Sequence, residues 1–234
     1  MHIDLPDGVP RTLVRMFESS NDLAAWNRGS IRLRALDFYR RLEDVNRRDT
    51  GEGEARHIVL GVNNTPVNYS GSLHNPRYVV SFCESDAPSV TRRRYGSFAA
   101  ELDDPRMFVN RLAQAATTVD IETREVLSVA LLRVRYNRDT VIDPEPERDE
   151  RWRLLTCQKQ ASDTDDREWR IMVTLSGPMA GAPEAIRVIV GGMESQGRAS
   201  NNRIAADGPG RGPAAEPERH ADRRVLISSQ LRRA

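Results

Sequence analysis

The sequence is poor in the features that mark several common classes of protein. All but Lys159 of its 35 basic residues are arginines, and only two cysteines, Cys83 and Cys157, occur among 234 residues. Both cysteines lie in apolar, strand-like runs, so we expect small buried hydrophobic side chains rather than a disulfide. No apolar run approaches the roughly 18 residues that a membrane-spanning helix needs, and the opening MHIDLPDGVP has no signal-peptide pattern. These absences predict a cytoplasmic protein without a membrane partner.

An excess of one charge is missing as well. The 34 acidic residues nearly cancel the 35 basic ones, which leaves a formal net charge of +1. Proteins that grip long duplex DNA usually carry a clear positive excess, so general duplex DNA binding is disfavoured. A local arginine cluster is still compatible with two kinds of partner, a small phosphate-bearing ligand or an acidic macromolecule.

Metal-binding and common catalytic motifs are also lacking. The sequence has no Cys-x-x-Cys or paired-histidine spacing, and its GPGRGP segment neither follows a predicted strand nor opens a helix. Four acidic residues of one loop have side chains suited to Mg²⁺, but arginines interrupt them, as in a self-neutralising surface loop: Asp44, Asp49, Glu52 and Glu54. We therefore expect no metal cofactor.

Apolar alternation and turn signals predict the fold class. Strands are expected at residues 12–17, 31–34, 77–83, 126–136, 152–157, 169–175 and 185–190. Ser19 with Asp22 has the spacing of a capping box and begins one helix, and Asp104-Pro105 begins another. The Gly/Asn-rich residues 61–72 are typical of turns. The pattern predicts an α+β fold, with a mixed, mainly antiparallel sheet flanked by two or three helices.

The chain divides by composition into a domain and a tail. Residues 1–194 are predicted to form a single α+β domain, whereas residues 195–234 are rich in Gly, Pro, Ala, Arg and Glu. Such a stretch buries too little apolar area to offset the entropy of ordering, so it is predicted to be disordered. Within the domain, residues 31–53 run from a strand into a helix and then a loop dense in Arg and acid. We expect this segment to border a pocket.

Several segments resemble a known family. These are FYRRLED with RRDTGEGE, Ser-Phe-Cys-Glu-Ser at residues 81–85, and Lys159 followed nine residues later by Glu-Trp-Arg. Together they resemble a large bacterial and phage family of uncharacterised domains, whose members open on an aromatic strand and close on a Lys…Glu-Trp-Arg segment. The resemblance covers roughly residues 12–193. The layout of that family is in turn similar to the ADP-ribosyltransferase fold.

That resemblance implies NAD as the bound nucleotide and a role for each of four residues. Arg15, on the first predicted strand, would hold the diphosphate as a bidentate fork. Ser81 would orient Arg15 and the nicotinamide ribose. Glu168 would bind the ribose 2′-hydroxyl and stabilise the oxocarbenium character that develops as nicotinamide leaves, and Asp166 would orient a nucleophile. The sequence departs from the pattern in having Ser-Phe-Cys where that fold has Ser-Thr-Ser.

Two further residues are candidates for nucleotide binding. Tyr39 lies beside the arginine-rich loop, where its ring would stack on nicotinamide or a base, and Arg34 lies on the strand before it. Each candidate has a structural alternative. Tyr39 has the helical spacing of a core residue, and both Arg15 and Glu168 are equally suited to surface ion pairing.

Three functions from different classes therefore stand. The first is a NAD-consuming, ADP-ribosyltransferase-like enzyme, which by resemblance would act in phage or bacterial conflict. The second is a non-catalytic arginine-rich module for a phosphate-bearing or acidic partner, nucleic acid or protein. The third is a protein–protein adaptor whose tail orders on its partner.

Overall fold

The fold is of the α+β class, with a mixed sheet of mostly antiparallel strands and three α-helices among the residues described. We analysed a computed structural model, which describes residues 1–40, 54–60, 66–72, 74–87, 95–117, 124–137, 157–191 and 199–200. All of these lie in one compact unit, Met1–Ile204, and the remaining unit, Ala205–Ala234, lies outside the described residues. In the described part of the chain, no helix is both long enough and apolar enough to cross a membrane.

The described residues form eleven strands, three α-helices and one 3-10 helix. The strands are β1 His2–Asp4, β2 Leu13–Phe17, β3 Ser30–Ala35, β4 Glu54–Leu60, β5 Pro66–Ser72, β6 Arg77–Glu84, β7 Phe98–Leu102, β8 Val126–Arg133, β9 Glu168–Leu175, β10 Ala185–Ile189 and β11 Ala199–Ser200. The helices are α1 Ser20–Asn27, α2 Leu36–Arg40 and α3 Pro105–Ala116, with a 3-10 helix at Ala161–Asp166.

One large sheet carries the fold. Its strands follow the order β1-β8-β9-β6-β2-β7-β11, while β3 joins it by pairing with β6 and holds β10 on its other side. Among the strands described, only β1 and β8 pair in parallel. The separate pair β4–β5 forms a two-stranded antiparallel sheet. The central strand β9 is buried along its whole length, because β6 and β8 flank it and both of its faces are covered.

Helices α1 and α3 cover one face of the sheet. Leu23 and Trp26 of α1 and Phe108 of α3 pack in one cluster with the side chains of β6 and β9 on that face. The Trp26 ring lies 5.4 Å from Phe108 and 5.9 Å from Phe82, measured between centroids. Burial of these large aromatic surfaces is a main source of stability for the sheet–helix contact.

Local signals in the sequence determine where α1 begins and ends. The Ser19 hydroxyl oxygen accepts from the Asp22 backbone N–H at 3.1 Å, and the hydroxyl donates to the Asp22 carboxylate at 2.8 Å. Gly29 follows the helix with φ +79°, and a Cβ there would lie 1.7 Å from the Gly191 carbonyl oxygen. Only glycine fits this position, both for its conformation and for its closeness to the neighbouring backbone.

Several elements differ from the sequence prediction. Residues 66–72, interpreted as turns, form strand β5, and the facing strand β4 was not predicted. The short strands β1 and β11 were also missed. Strand β11 pairs with β7 and lies beyond residue 194. Three predicted segments lie outside the described residues. They are the remainder of the C-terminal tail, the loop at residues 41–53, and most of the strand predicted at residues 152–157.

Candidate functional site

A gap in the large sheet forms the candidate site. One edge of β6 pairs with two different strands: Cys83 and Glu84 face β2, whereas Tyr78 and Val79 face β3. Between these pairings, residues 80–82 face no other described strand on that edge. A cavity of about 270 Å³ lies at this gap, lined by residues of β2, β3, β6 and α1 among others.

All six site residues predicted from the sequence line this one cavity: Arg15, Arg34, Tyr39, Ser81, Asp166 and Glu168. They come from six elements of the fold: β2, β3, α2, β6, the 3-10 helix and β9. By strand alternation Arg15 lies on the α1 face of the sheet, with Leu13 and Phe17, whereas Glu168 lies on the opposite face, so the cavity reaches both faces through the gap. Of the segment at residues 31–53, the described part contributes β3 and α2 to the lining. Ser85, which the sequence groups with Ser81, is exposed and does not belong to the lining.

Arg15 bridges the gap. Its Nη1 donates to the Ser81 carbonyl oxygen at 2.6 Å, and its guanidinium carbon lies 5.7 Å from the centroid of the Phe17 ring. The side chain is half-buried. Ser81 lies where β6 has no described strand beside it on this edge. The guanidinium there supplies a donor of the kind that a neighbouring backbone N–H would provide. Arg15 therefore faces the cavity and is not an outward surface residue.

A buried network of charged side chains forms the floor of the site. Glu168 accepts from Lys159 Nζ at 2.6 Å through Oε2 and from Arg170 Nε at 2.7 Å through Oε1. Lys159 also lies 3.5 Å from Asp166 Oδ2. All four residues are less than 9% exposed. Charges this deeply buried are stable only when they are paired and hydrogen-bonded, as these are.

The network lies on the sheet face opposite α1 and α3. There, Ser81 and Arg170 occupy directly opposed positions of β6 and β9. A small apolar cluster around Met172 borders the network on one side, and a second cluster around Cys83 borders it on the other. The polar residues thus lie in a stripe between two apolar clusters. These clusters lower the effective dielectric constant around the network, which strengthens each electrostatic contact.

Two tyrosines extend the network. The Tyr95 hydroxyl donates to Asp166 Oδ2, and the backbone N–H of Glu168 donates to the Tyr136 hydroxyl at 2.7 Å. Burial raises the pKa of both phenols well above its ordinary value, and the nearby carboxylates of Glu168 and Asp166 act in the same direction. Both tyrosines are therefore neutral, and Tyr95 is a permanent hydrogen-bond donor at physiological pH.

Glu168 is held as a carboxylate. Burial by itself would raise its pKa, but ion pairing with Arg170 and Lys159 outweighs burial and leaves the pKa below its ordinary value. Its side chain is thus ionised throughout the physiological range and fixed by a cation on each oxygen.

The backbone next to Glu168 has an unusual conformation. Arg167, between Asp166 and Glu168, has φ 41° and ψ 49°, in the left-handed region. It is the only non-glycine residue with positive φ among those the structure describes. Its own side chain points away to Asp86, with 2.6 Å between Nη1 and Oδ2. Asp166 is the last residue of the 3-10 helix, and Glu168 is the first residue of β9. The turn at Arg167 between them lets both carboxylates approach Lys159.

The arginines of β3 line the mouth of the cavity with the aromatic residues of α2. The guanidinium carbon of Arg34 lies 4.0 Å from the centroid of the Phe38 ring, a cation–π contact. Burial and the charge of Arg32 lower the pKa of Arg34. Tyr39 is half-buried and does two things at once: it packs against the cluster around Met172 and it lines the cavity.

The sequence prediction missed some of the residues that matter here. Lys159 and Arg170 appeared only as parts of a family resemblance, with no role of their own, although Arg170 shares a strand face with Glu168. Tyr95 gave no signal, because its contact with Asp166 depends on the tertiary fold. No group of three His, Cys, Asp or Glu side chains suited to a metal ion occurs within the described ranges, and the loop acids Asp44, Asp49 and Glu52 lie outside them.

Comparison with protein-family models, with curated proteins and with solved structures found no match to this chain. Its site must be interpreted from its own geometry.

Proposed function

We propose that this protein is a NAD-consuming, ADP-ribosyltransferase-like enzyme whose cavity at the gap beside β6 binds the nucleotide. The observation that carries the proposal is the convergence of Arg15, Ser81 and Glu168 on one cavity. The resemblance to the ADP-ribosyltransferase fold assigns these three residues to the diphosphate, to the orientation of the nicotinamide ribose and to its 2′-hydroxyl. They belong to three different strands, so no local pattern would have brought them together.

The charge and shape of the cavity support an anionic ligand that carries aromatic rings. Its lining contains six cationic side chains and four acidic ones. Trp26, Phe82 and Tyr39 supply rings, and ring stacking together with arginine–phosphate contacts is the usual chemistry of nucleotide recognition. Arg15 is already ordered by its bond to Ser81, so less side-chain entropy is lost when it binds a phosphate.

Glu168 would act on the bond between nicotinamide and ribose. As that bond breaks, its electron pair goes to the nicotinamide ring, and positive charge develops on the ribose. A fixed carboxylate beside the ribose stabilises this charge without reorganising. Each oxygen of Glu168 accepts one hydrogen bond from a protein cation, so a further lone pair on each is left for the 2′-hydroxyl. Attack by water at the ribose carbon then gives ADP-ribose and releases a proton.

A second function, a non-catalytic module for a phosphate-bearing or acidic partner, is favoured by one observation. Lys159 and Arg170 both neutralise Glu168, which reduces the field that the carboxylate can exert on a developing cation. In that case the network would stabilise the gap, and the arginines alone would bind the ligand.

Nicotinamide release and nucleotide binding, measured on the same variants, test the two functions. We expect the wild type to bind NAD by calorimetry and to release nicotinamide on incubation. The Glu168→Gln variant should lose roughly 10²–10³ in release rate. Glu101→Gln, at an exposed position of β7 outside the cavity, is the matched control and should keep the full rate. Circular dichroism checks that each variant is folded.

The outcomes separate the proposals. An unchanged rate in the folded Glu168→Gln variant would contradict the enzymatic function. Binding of NAD without release of nicotinamide would support the non-catalytic module. If neither NAD nor ADP-ribose binds, nucleotide recognition by this cavity is wrong.

A further inference from the structure

Two exposed arginines face each other at the mouth of the cavity. Arg32 of β3 and Arg187 of β10 are directly opposed in the antiparallel register, and both line the cavity. Like charges at directly opposed positions destabilise a strand pair. Within the described ranges neither guanidinium forms an ion pair with a carboxylate, and Arg187 Nη1 donates only to the Ser30 hydroxyl, at 3.3 Å. The fold therefore holds two positive charges close together, and their repulsion lowers the stability of the β3–β10 strand pair.

Arg34 adds a third charge on the same face of β3, two residues from Arg32. Its guanidinium is held over the Phe38 ring at 4.0 Å, and Phe38 meets Tyr39 edge-to-face at 5.7 Å. We call Arg32, Arg34 and Arg187 the arginine rim. An anion bound between its members would offset their repulsion, and burial together with the charge of Arg32 already disfavours the charged form of Arg34.

The chemistry of the rim combines charge with flat stacking surfaces. A guanidinium binds a phosphate through two parallel hydrogen bonds. The bases of unpaired strands stack on aromatic rings and on arginine planes. An acidic peptide would satisfy the charges but has no ring for the Arg34–Phe38 platform. A long duplex would require the large positive excess that this chain, with a net charge of +1, does not have.

We propose that the arginine rim binds single-stranded nucleic acid, with a phosphate between Arg32 and Arg187 and a base on the Arg34–Phe38 platform. The bound strand would lie at the mouth of the cavity. This binding requires neither NAD nor a reaction and so goes beyond the enzymatic proposal. It also gives the non-catalytic module a named partner, and in that respect it rests on the second candidate function.

Fluorescence anisotropy of the full chain with a labelled oligothymidylate of about 12 nucleotides, without NAD, tests the inference. We expect Arg32→Gln with Arg187→Gln to weaken binding roughly tenfold or more. Between about 50 and 200 mM salt, the slope of log affinity against log salt should fall in magnitude by about 0.7, because the one phosphate between the two arginines is no longer neutralised. The matched control is Arg11→Gln with Arg28→Gln, two exposed arginines outside the cavity lining, which should leave both quantities unchanged.

Two further variants separate charge from stacking. The Arg32→Lys and Arg187→Lys pair keeps both charges and should retain most of the salt slope. Phe38→Leu keeps apolar volume but removes the ring, and should weaken binding roughly five- to hundredfold.

The inference is overturned if the rim variant and its control bind equally well. It is also overturned if a duplex of the same length or a polyglutamate peptide competes better than the single strand. Because no NAD is present, either result leaves the test of nicotinamide release unaffected.

Discussion

Replacing Lys159 by methionine tests whether the buried network stabilises the fold. The side chains of Lys159 and Glu168 are only 11% and 8% exposed, and 2.6 Å separates Nζ from Oε2. Removal of one partner of a buried ion pair costs about 3–5 kcal/mol, because the other charge is left without compensation. Glu168 would keep Arg170, and Asp166 would keep Tyr95, so we expect the lower limit, about 3 kcal/mol.

Urea unfolding followed by circular dichroism measures this loss. With a slope of about 2 kcal/mol per molar urea, a loss of about 3 kcal/mol lowers the midpoint by about 1.5 M. Arg133→Met is the control, since Arg133 is 66% exposed and pairs with Glu84 at 3.4 Å. Exposed pairs of this kind contribute at most about 1 kcal/mol.

A double-mutant cycle decides whether the effect comes from the pair itself. Lys159→Met and Glu168→Gln each remove one side of the contact, so their combined cost should be smaller than the sum by about 2 kcal/mol. Costs that add to within about 0.5 kcal/mol, or a Lys159→Met variant as stable as Arg133→Met, would refute a stabilising role for the network.

Three further predictions follow from single features of the structure. The pKa of Glu168 is lowered in the folded state, so its ion pairs contribute stability that is complete above the unfolded pKa of about 4.3 and is lost as pH falls below that value. Between about pH 5 and 3, the free energy of unfolding should therefore fall more steeply for the wild type than for Glu168→Gln. Parallel curves for the two proteins would contradict this prediction. At Arg167, with φ 41°, the glycine variant should be more stable than the alanine variant by about 1 kcal/mol, since only glycine adopts this conformation without strain; equal thermal midpoints would show that no strain is present. Gly29→Ala should lower the free energy of unfolding by about 3 kcal/mol or more, because the new Cβ would meet the Gly191 carbonyl. Gly8→Ala, at φ +71° with no atom within 4 Å of the new Cβ, should lower it by only about 1 kcal/mol. Similar losses of unfolding free energy in the two variants would refute the steric argument.

The elements that sequence reasoning predicted well are those with strong local signals. The caps at Ser19 and Asp104 and the alternation of Trp169, Ile171 and Val173 depend on residues close together in the chain, so α1, α3 and β9 formed where expected. The Gly- and Asn-rich composition of residues 61–72 favours turns, yet residues 66–72 form strand β5 because β4 supplies their hydrogen-bonding partner. Three-residue β1 has no local signal, and its strand state comes from pairing with β8.

The same distinction holds for the candidate site. A family resemblance pointed to Arg15, Ser81 and Glu168, and the gap beside β6 brings them to one cavity. Neither the gap nor the left-handed turn at Arg167 could be predicted from the sequence, because both depend on how distant strands share an edge. The role of Lys159 as a partner of two carboxylates likewise required the position of Asp166 in three dimensions.

The divided edge of β6 has a consequence for how the site can change. No ladder joins β2 to β3 among the described strands, so side chains determine how wide the slot is: the Arg15 bond to Ser81 on one side, and the Trp26 ring packed between Phe17 and Phe82 on the other. Variants at Arg15, which lies outside the buried aromatic cluster, should therefore change the width of the slot while the pairing of the other strands stays in register.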